Sequence, residues 1–160
     1  MPRVPSEGLL LGIAQIAVVI AGFTAVTSAL TPPGGSWSTD QRIRQRAIVS
    51  TSINVLFESL LHVIAFAWFE DARTALVLSS VAVAVYTGLV VAMRARQFLR
   101  TDALHTRSGR LLFVLGPLAC LLFAANAIAF ASVAAYAAAL CIQLSVAVLS
   151  FYSVVAAASS

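Results

Sequence analysis

Residues 111–158 contain no charged side chain. A helix rising 1.5 Å per residue crosses the hydrocarbon core of a bilayer in about 20 residues, so this run has roughly twice the length that one crossing uses. A hairpin of two spans accounts for it, with the turn placed at 131–135 and spans at 111–130 and 136–155. The competing arrangement is one long tilted helix with the remainder lying on the membrane, which leaves four spans instead of five.

Three further apolar runs precede it, at 8–30, 47–69 and 75–93. One soluble core in a chain of 160 residues cannot bury so many runs of this length, and 61% hydrophobic residues with 10% charged lies outside the range of soluble domains. The sequence therefore predicts an all-α integral membrane protein, a single transmembrane domain of about five helices. The first run exceeds the 7 to 15 residues of a signal-peptide core, so it is expected to stay as a span.

Local signals set the boundaries. Pro32-Pro33-Gly34-Gly35 ends the first span, because two prolines and two glycines do not continue a helix. Ser38 with Gln41 three residues later forms a capping box, predicting a second helix from Thr39 that enters the membrane near Ala47. Trp68 and Tyr136 are placed at membrane interfaces. The polar segment 94–110 is read as a helical extension followed by a loop at Ser108-Gly109.

All ten basic residues are arginines, and they cluster. Segment 31–46 holds Arg42, Arg44 and Arg46. Segment 94–110 holds Arg94, Arg96, Arg100, Arg107 and Arg110. Arg3 and Arg73 stand alone in the other two polar segments. Basic loops stay in the cytoplasm, so both clusters are expected there, with the amino terminus outside. Arginines that flank spans set topology and meet anionic headgroups, so membrane lipids, not nucleic acid, are the expected contacts. An alanine- and arginine-rich composition without lysine fits a GC-rich bacterial genome, and a multi-pass position in the inner membrane is expected.

The second span carries the chemistry. At 100° per residue, Arg44, Thr51, Asn54, Glu58 and His62 fall within an arc of roughly 80°. Ile53, Leu56, Phe57, Leu60 and Leu61 between them are apolar. A carboxylate near mid-bilayer costs several kcal/mol unless it is protonated, paired or hydrated, so Glu58 should face inward. His62, one turn on, is positioned for an ion pair or a shared proton with it. The functional reading is a proton or ion pathway with Thr51 and Asn54 as neutral ligands. The structural reading is a buried pair that fixes helix register.

Gln15, Asn126 and Gln143 have the donors and acceptors that bridge helices in lipid. Gly8 and Gly12 form a small-xxx-small pattern, continued as a ridge by Ala17, Ala21, Ala25 and Ala29, so close helix contact is expected there. Tyr136, Gln143 and Ser150 recur every seven residues, which turns the last span toward the second or toward a partner subunit. Gly116-Pro117 is expected to shape the fourth span. Cys120 and Cys141 lie in apolar runs and read as packing residues. No cofactor or metal site is expected, since one Glu and one His supply too few ligands.

No nucleophile-base set, phosphate loop or metal motif is visible, so an enzyme is not expected. Five short spans leave little room for an enclosed pathway, whereas several copies can surround one. The expected function is a homo-oligomeric channel or transporter for protons or small ions, lined by the second helix, with Arg42, Arg44 and Arg46 around its cytoplasmic mouth. The alternative is a non-enzymatic accessory or scaffold subunit of a larger membrane complex.

Overall fold

The computed structural model describes residues 5–29, 39–69, 71–98 and 107–158, almost all of them helical. The elements in order are α1 (Pro5–Ala29), α2 (Thr39–Trp68), α3 (Ala72–Phe98), α4 (Arg107–Ala125), a π-helical turn (Asn126–Phe130) that continues α4, and α5 (Val133–Ala158). All five helices contain a stretch long and apolar enough to cross a membrane. The charge-free run is thus a hairpin of two helices, each of spanning length, and not one long helix.

The hairpin turns in two residues. Asn126 sits at the head of the π turn, and its carbonyl accepts the Ala131 N–H at 2.7 Å. Ala131 is left-handed, with φ 43° and ψ 48°, a conformation that ends helices by letting the next amides fold back. The Asn126 side chain then accepts the Ser132 N–H through Oδ1 at 2.9 Å. Ser132 in turn accepts the Tyr136 N–H at 3.1 Å, as α5 begins. Three residues separate α2 from α3. Asp71 caps α3, taking the Thr74 N–H at 2.9 Å and the Arg73 N–H at 3.3 Å. The Thr74 hydroxyl, followed by these amides, holds the Asp71 carboxyl below the usual carboxylate range.

One boundary differs from expectation. Ser108 and Gly109 lie within α4, which starts at Arg107. Weak helix formers cost less in a first turn, where the amides have no intrahelical acceptor in any case. The Pro32-Pro33-Gly34-Gly35 break and the Ser38 cap fall outside the described residues, although α2 does begin at Thr39.

Each helix packs on its sequence neighbours, α5 closes back on α1, and α2 also packs on α5. That last contact divides the bundle into a triangle of α1, α2 and α5 and a four-sided unit of α2, α3, α4 and α5. Leu10, Ile13, Val55, Leu76, Val83, Phe123, Tyr136 and Leu140 form the apolar core. Polarity is distributed in the reverse of a water-soluble protein. Thr51, Glu58, His62, Ser79, Ser80, Thr87, Asn126 and Gln143 are buried, while Val19, Phe57, Val85, Leu121 and Ile128 are exposed. Such an exterior is at home only in lipid.

The buried face of α1 differs in part from expectation. Leu10, Ile13, Ala14 and Ala17 are its buried stripe, and Gln15, about 200° from Ile13 and from Ala17, is exposed and bridges nothing. Gly8 and Gly12 have no neighbour within 4 Å of where a Cβ would stand, so they are not contact points within this chain. Close approach is instead made between α3 and α4. A Cβ on Gly116 would come 3.2 Å from Val91, and one on Gly88 would come 3.4 Å from Cys120. Cys120 packs there and donates to the Ala84 carbonyl at 3.4 Å, while Cys141 is exposed, and both are free thiols.

Candidate functional site

The four-sided unit holds a column of polar side chains. Three sevenfold spacings build it: Thr51 and Glu58 on α2, Ser80, Thr87 and Arg94 on α3, and Tyr136, Gln143 and Ser150 on α5. Residues seven apart return to nearly the same helix face about 10 Å further along, so each helix contributes one polar group per layer.

The central layer is organised on Glu58, which is only 4% exposed. Gln143 donates from Nε2 to Thr87 Oγ1 at 3.1 Å, and Thr87 donates from Oγ1 to Glu58 Oε1 at 3.1 Å. Donors thus run in one direction and end on the carboxyl, an arrangement in which each bond polarises the next. The other oxygen, Oε2, is buried and has no hydrogen-bond partner. A carboxylate there bears an uncompensated desolvation cost at Oε2, which uptake of a proton removes. The Glu58 backbone carbonyl also accepts the Tyr136 hydroxyl at 2.7 Å.

In the next layer, His62 Nδ1 lies 3.1 Å from Ser79 Oγ, while Ser79 directs its own proton to the Leu76 carbonyl at 3.1 Å. Ser79 has one hydroxyl proton for these two contacts, so the direction of the bond to His62 follows the imidazole tautomer. Its ring lies 5.3 Å from that of Tyr136, which packs edge-on against Phe123 at 5.1 Å. Beyond it, toward the hairpin turn, Asn126 donates from Nδ2 to Ser80 Oγ at 2.9 Å and is fully buried.

Toward the arginine-rich end the column continues with Thr51 and Ser150, both buried. Arg94 reaches back from α3 to donate to Thr51 Oγ1 at 3.1 Å and to Ser50 Oγ at 2.6 Å. Arg44 donates to Ser153 on α5 at 2.8 Å. Two buried hydroxyls, those of Ser52 and Ser150, have no hydrogen-bond partner.

Of the residues singled out in the sequence, Thr51, Glu58, His62, Asn126 and Gln143 come together inside the bundle. Asn54 stands at the edge of the α2 stripe and accepts the exposed Tyr86 hydroxyl at 2.8 Å. Glu58 and His62 do not pair: each reaches across to a hydroxyl on α3, and no ion pair joins them. Tyr136 is not an interface anchor but a core residue, because α5 begins a turn earlier, at Val133, and carries it inward. Arg46 is exposed at the arginine end, while the Arg42 side chain lies outside the described residues. The stripe looks into its own bundle, not onto a face open to another copy.

Ser79, Ser80 and Thr87 carry no individual signal in the sequence, and Arg94 is expected there only as one of the basic cluster 94–110. Small hydroxyls are common in apolar helices, and the signal that could have found them is the sevenfold series ending on Arg94. Among the described residues, no three His, Cys, Asp or Glu side chains gather as a metal site requires. No known family, curated protein or solved structure matches this chain.

Proposed function

We propose that this chain is a membrane channel or transporter that handles protons, with Glu58 as the group that takes up and releases them. The observation that carries this reading is the Glu58 carboxyl, buried in a membrane-length helix, held through Oε1 by Thr87 and unpartnered at Oε2. An ionisable group in that position is expensive, and such groups mark proton and ion pathways. Protons are favoured over hydrated ions because Val55, Val83, Phe123, Tyr136 and Leu140 fill the interior around the column. A proton travels along hydrogen-bonded hydroxyls, whereas a hydrated cation needs a passage of its own width. His62, with Nδ1 engaged by Ser79, is the second proton-carrying group, and Arg44 and Arg46 stand at the mouth. By the charge rule that mouth is cytoplasmic, in a cell membrane crossed five times.

The test is proton flux in liposomes carrying a pH-sensitive dye, driven by a potassium gradient with valinomycin. Glu58→Gln is expected to abolish flux, and Thr87→Val to reduce it. A folded Glu58→Gln protein with wild-type flux defeats the proposal. The second reading, an accessory subunit, is favoured by Asn126, whose bonds to Ser80 and Ser132 serve helix register alone. It prevails if the protein is recovered only with other subunits and carries no flux by itself.

A further inference from the structure

Arg94 is unusual for its partners. It lies two residues inside the end of the α3 span (Ala72–Arg96), half-buried, and its two hydrogen bonds go to neutral hydroxyls, Thr51 and Ser50. A guanidinium carries five N–H donors and a full charge, so donors remain, and among the described residues the charge has no counter-ion. Among the described side chains the arginine end holds Arg44, Arg46, Arg94, Arg96 and Arg110 and no carboxylate. Glu7 and Asp71 stand at the start of α1 or just before α3, at the opposite end, and Glu58 is mid-span.

The surroundings of Arg94 are those of a lipid site. On α3, Tyr86 and Met93 share a face beside it, and on α2 Phe57 lies seven residues from Ser50; all three are exposed, Phe57 at 65%. The Tyr86 hydroxyl is already committed to Asn54, so the exposed face deeper than Arg94 offers rings and methylenes. A cation near the end of the span beside an exposed apolar face matches a molecule that is anionic at one end and hydrocarbon at the other. We propose that this face of α2 and α3 binds an anionic phospholipid, its phosphate on the fork of Arg94 and an acyl chain along Phe57, Tyr86 and Met93. Forked guanidinium contacts to phosphate are the strong, geometrically specific kind, and this contact supplies the counter-charge that Ser50 and Thr51 lack.

The experiment is native mass spectrometry of the purified protein in a neutral detergent, with phosphatidylglycerol, phosphatidylcholine or inorganic phosphate added. Wild type is expected to retain phosphatidylglycerol over phosphatidylcholine. Arg94→Gln should lower its occupancy about fivefold or more, the effect of one basic residue at an anionic surface. Arg46→Gln removes the same charge from an exposed position and should leave occupancy unchanged. Arg94→Lys keeps the charge without the fork and should bind more weakly than wild type, which preserves the test if Arg94→Gln does not fold. Equal binding by Arg94→Gln or Arg94→Lys overturns the site. So does an equal loss in Arg46→Gln, which signifies diffuse attraction. Retention of phosphatidylcholine as strongly as phosphatidylglycerol, or displacement of lipid by inorganic phosphate, overturns the anionic-lipid assignment as well.

Discussion

Asn126→Ala should be among the most destabilising single substitutions outside the Glu58 layer. The residue makes three bonds: Nδ2 donates to Ser80 on α3, Oδ1 accepts the Ser132 amide, and the backbone carbonyl accepts the Ala131 amide. Truncation removes the first two bonds. A hydrogen bond between helices in lipid averages about 0.6 kcal/mol and reaches about 1.7. The Ser80 hydroxyl can turn to a carbonyl of its own helix, so that loss falls within this range. The Ser132 amide is at a helix start with no other acceptor provided, and an orphaned amide costs roughly 1–3 kcal/mol. Together they give about 2–5 kcal/mol. The assay is reversible unfolding in mixed micelles titrated with sodium dodecyl sulfate, followed by far-UV circular dichroism. A double-mutant cycle with Ser80→Ala should return a coupling of roughly 0.6–1.7 kcal/mol, since only one of the two bonds joins that pair. A loss below about 0.5 kcal/mol for Asn126→Ala, or strict additivity with Ser80→Ala, refutes the reasoning.

Three further outcomes follow from the same geometry. Ala131→Gly should raise stability by roughly 0.5–1 kcal/mol in the same titration, because φ 43° strains a side chain with a Cβ and not glycine. Tyr136→Phe should cost only about 0.5–1.5 kcal/mol, since the Glu58 carbonyl keeps the amide one turn on as a donor, and it should leave the Glu58-dependent flux in place. The Asp71 cap is a pH-dependent contribution. Its carboxyl is held below the usual range in the fold, so the contribution is complete above the unfolded value of about 4 and disappears as pH falls through the lower folded value. Protection of the Arg73 and Thr74 amides, taken relative to the intrinsic exchange rate at each pH, should therefore fall on acidification, and in Asp71→Ala it should be low at every pH.

The architecture was legible because lipid imposes one dominant rule. Charge-free runs of spanning length become helices, and Glu58 had to point at protein, so the inward arc of Thr51, Glu58 and His62 followed from spacing alone. What spacing along one helix does not contain is the identity of the partner across the gap. Glu58 and His62 are stacked one turn apart, which suggests a pair, yet α3 offers Thr87 to one and Ser79 to the other. Tyr136 read as an interface residue because a π turn and an early α5 start are invisible in hydropathy. Gln15 read as a bridge because polarity in an apolar run resembles a contact until the buried face is known. Within this chain the close packing falls at Gly88 and Gly116 and not at Gly8 and Gly12, since a small residue permits approach but does not say which helix arrives.

The inward aim of Glu58 bears on any assembly the chain forms. A group enclosed by its own four helices serves one copy at a time, so a membrane populated by equal amounts of wild-type and Glu58→Gln chains should keep about half its capacity, declining in proportion to the silenced fraction. A conduit shared around an axis would instead fail steeply, as one defective member spoiled the whole ring.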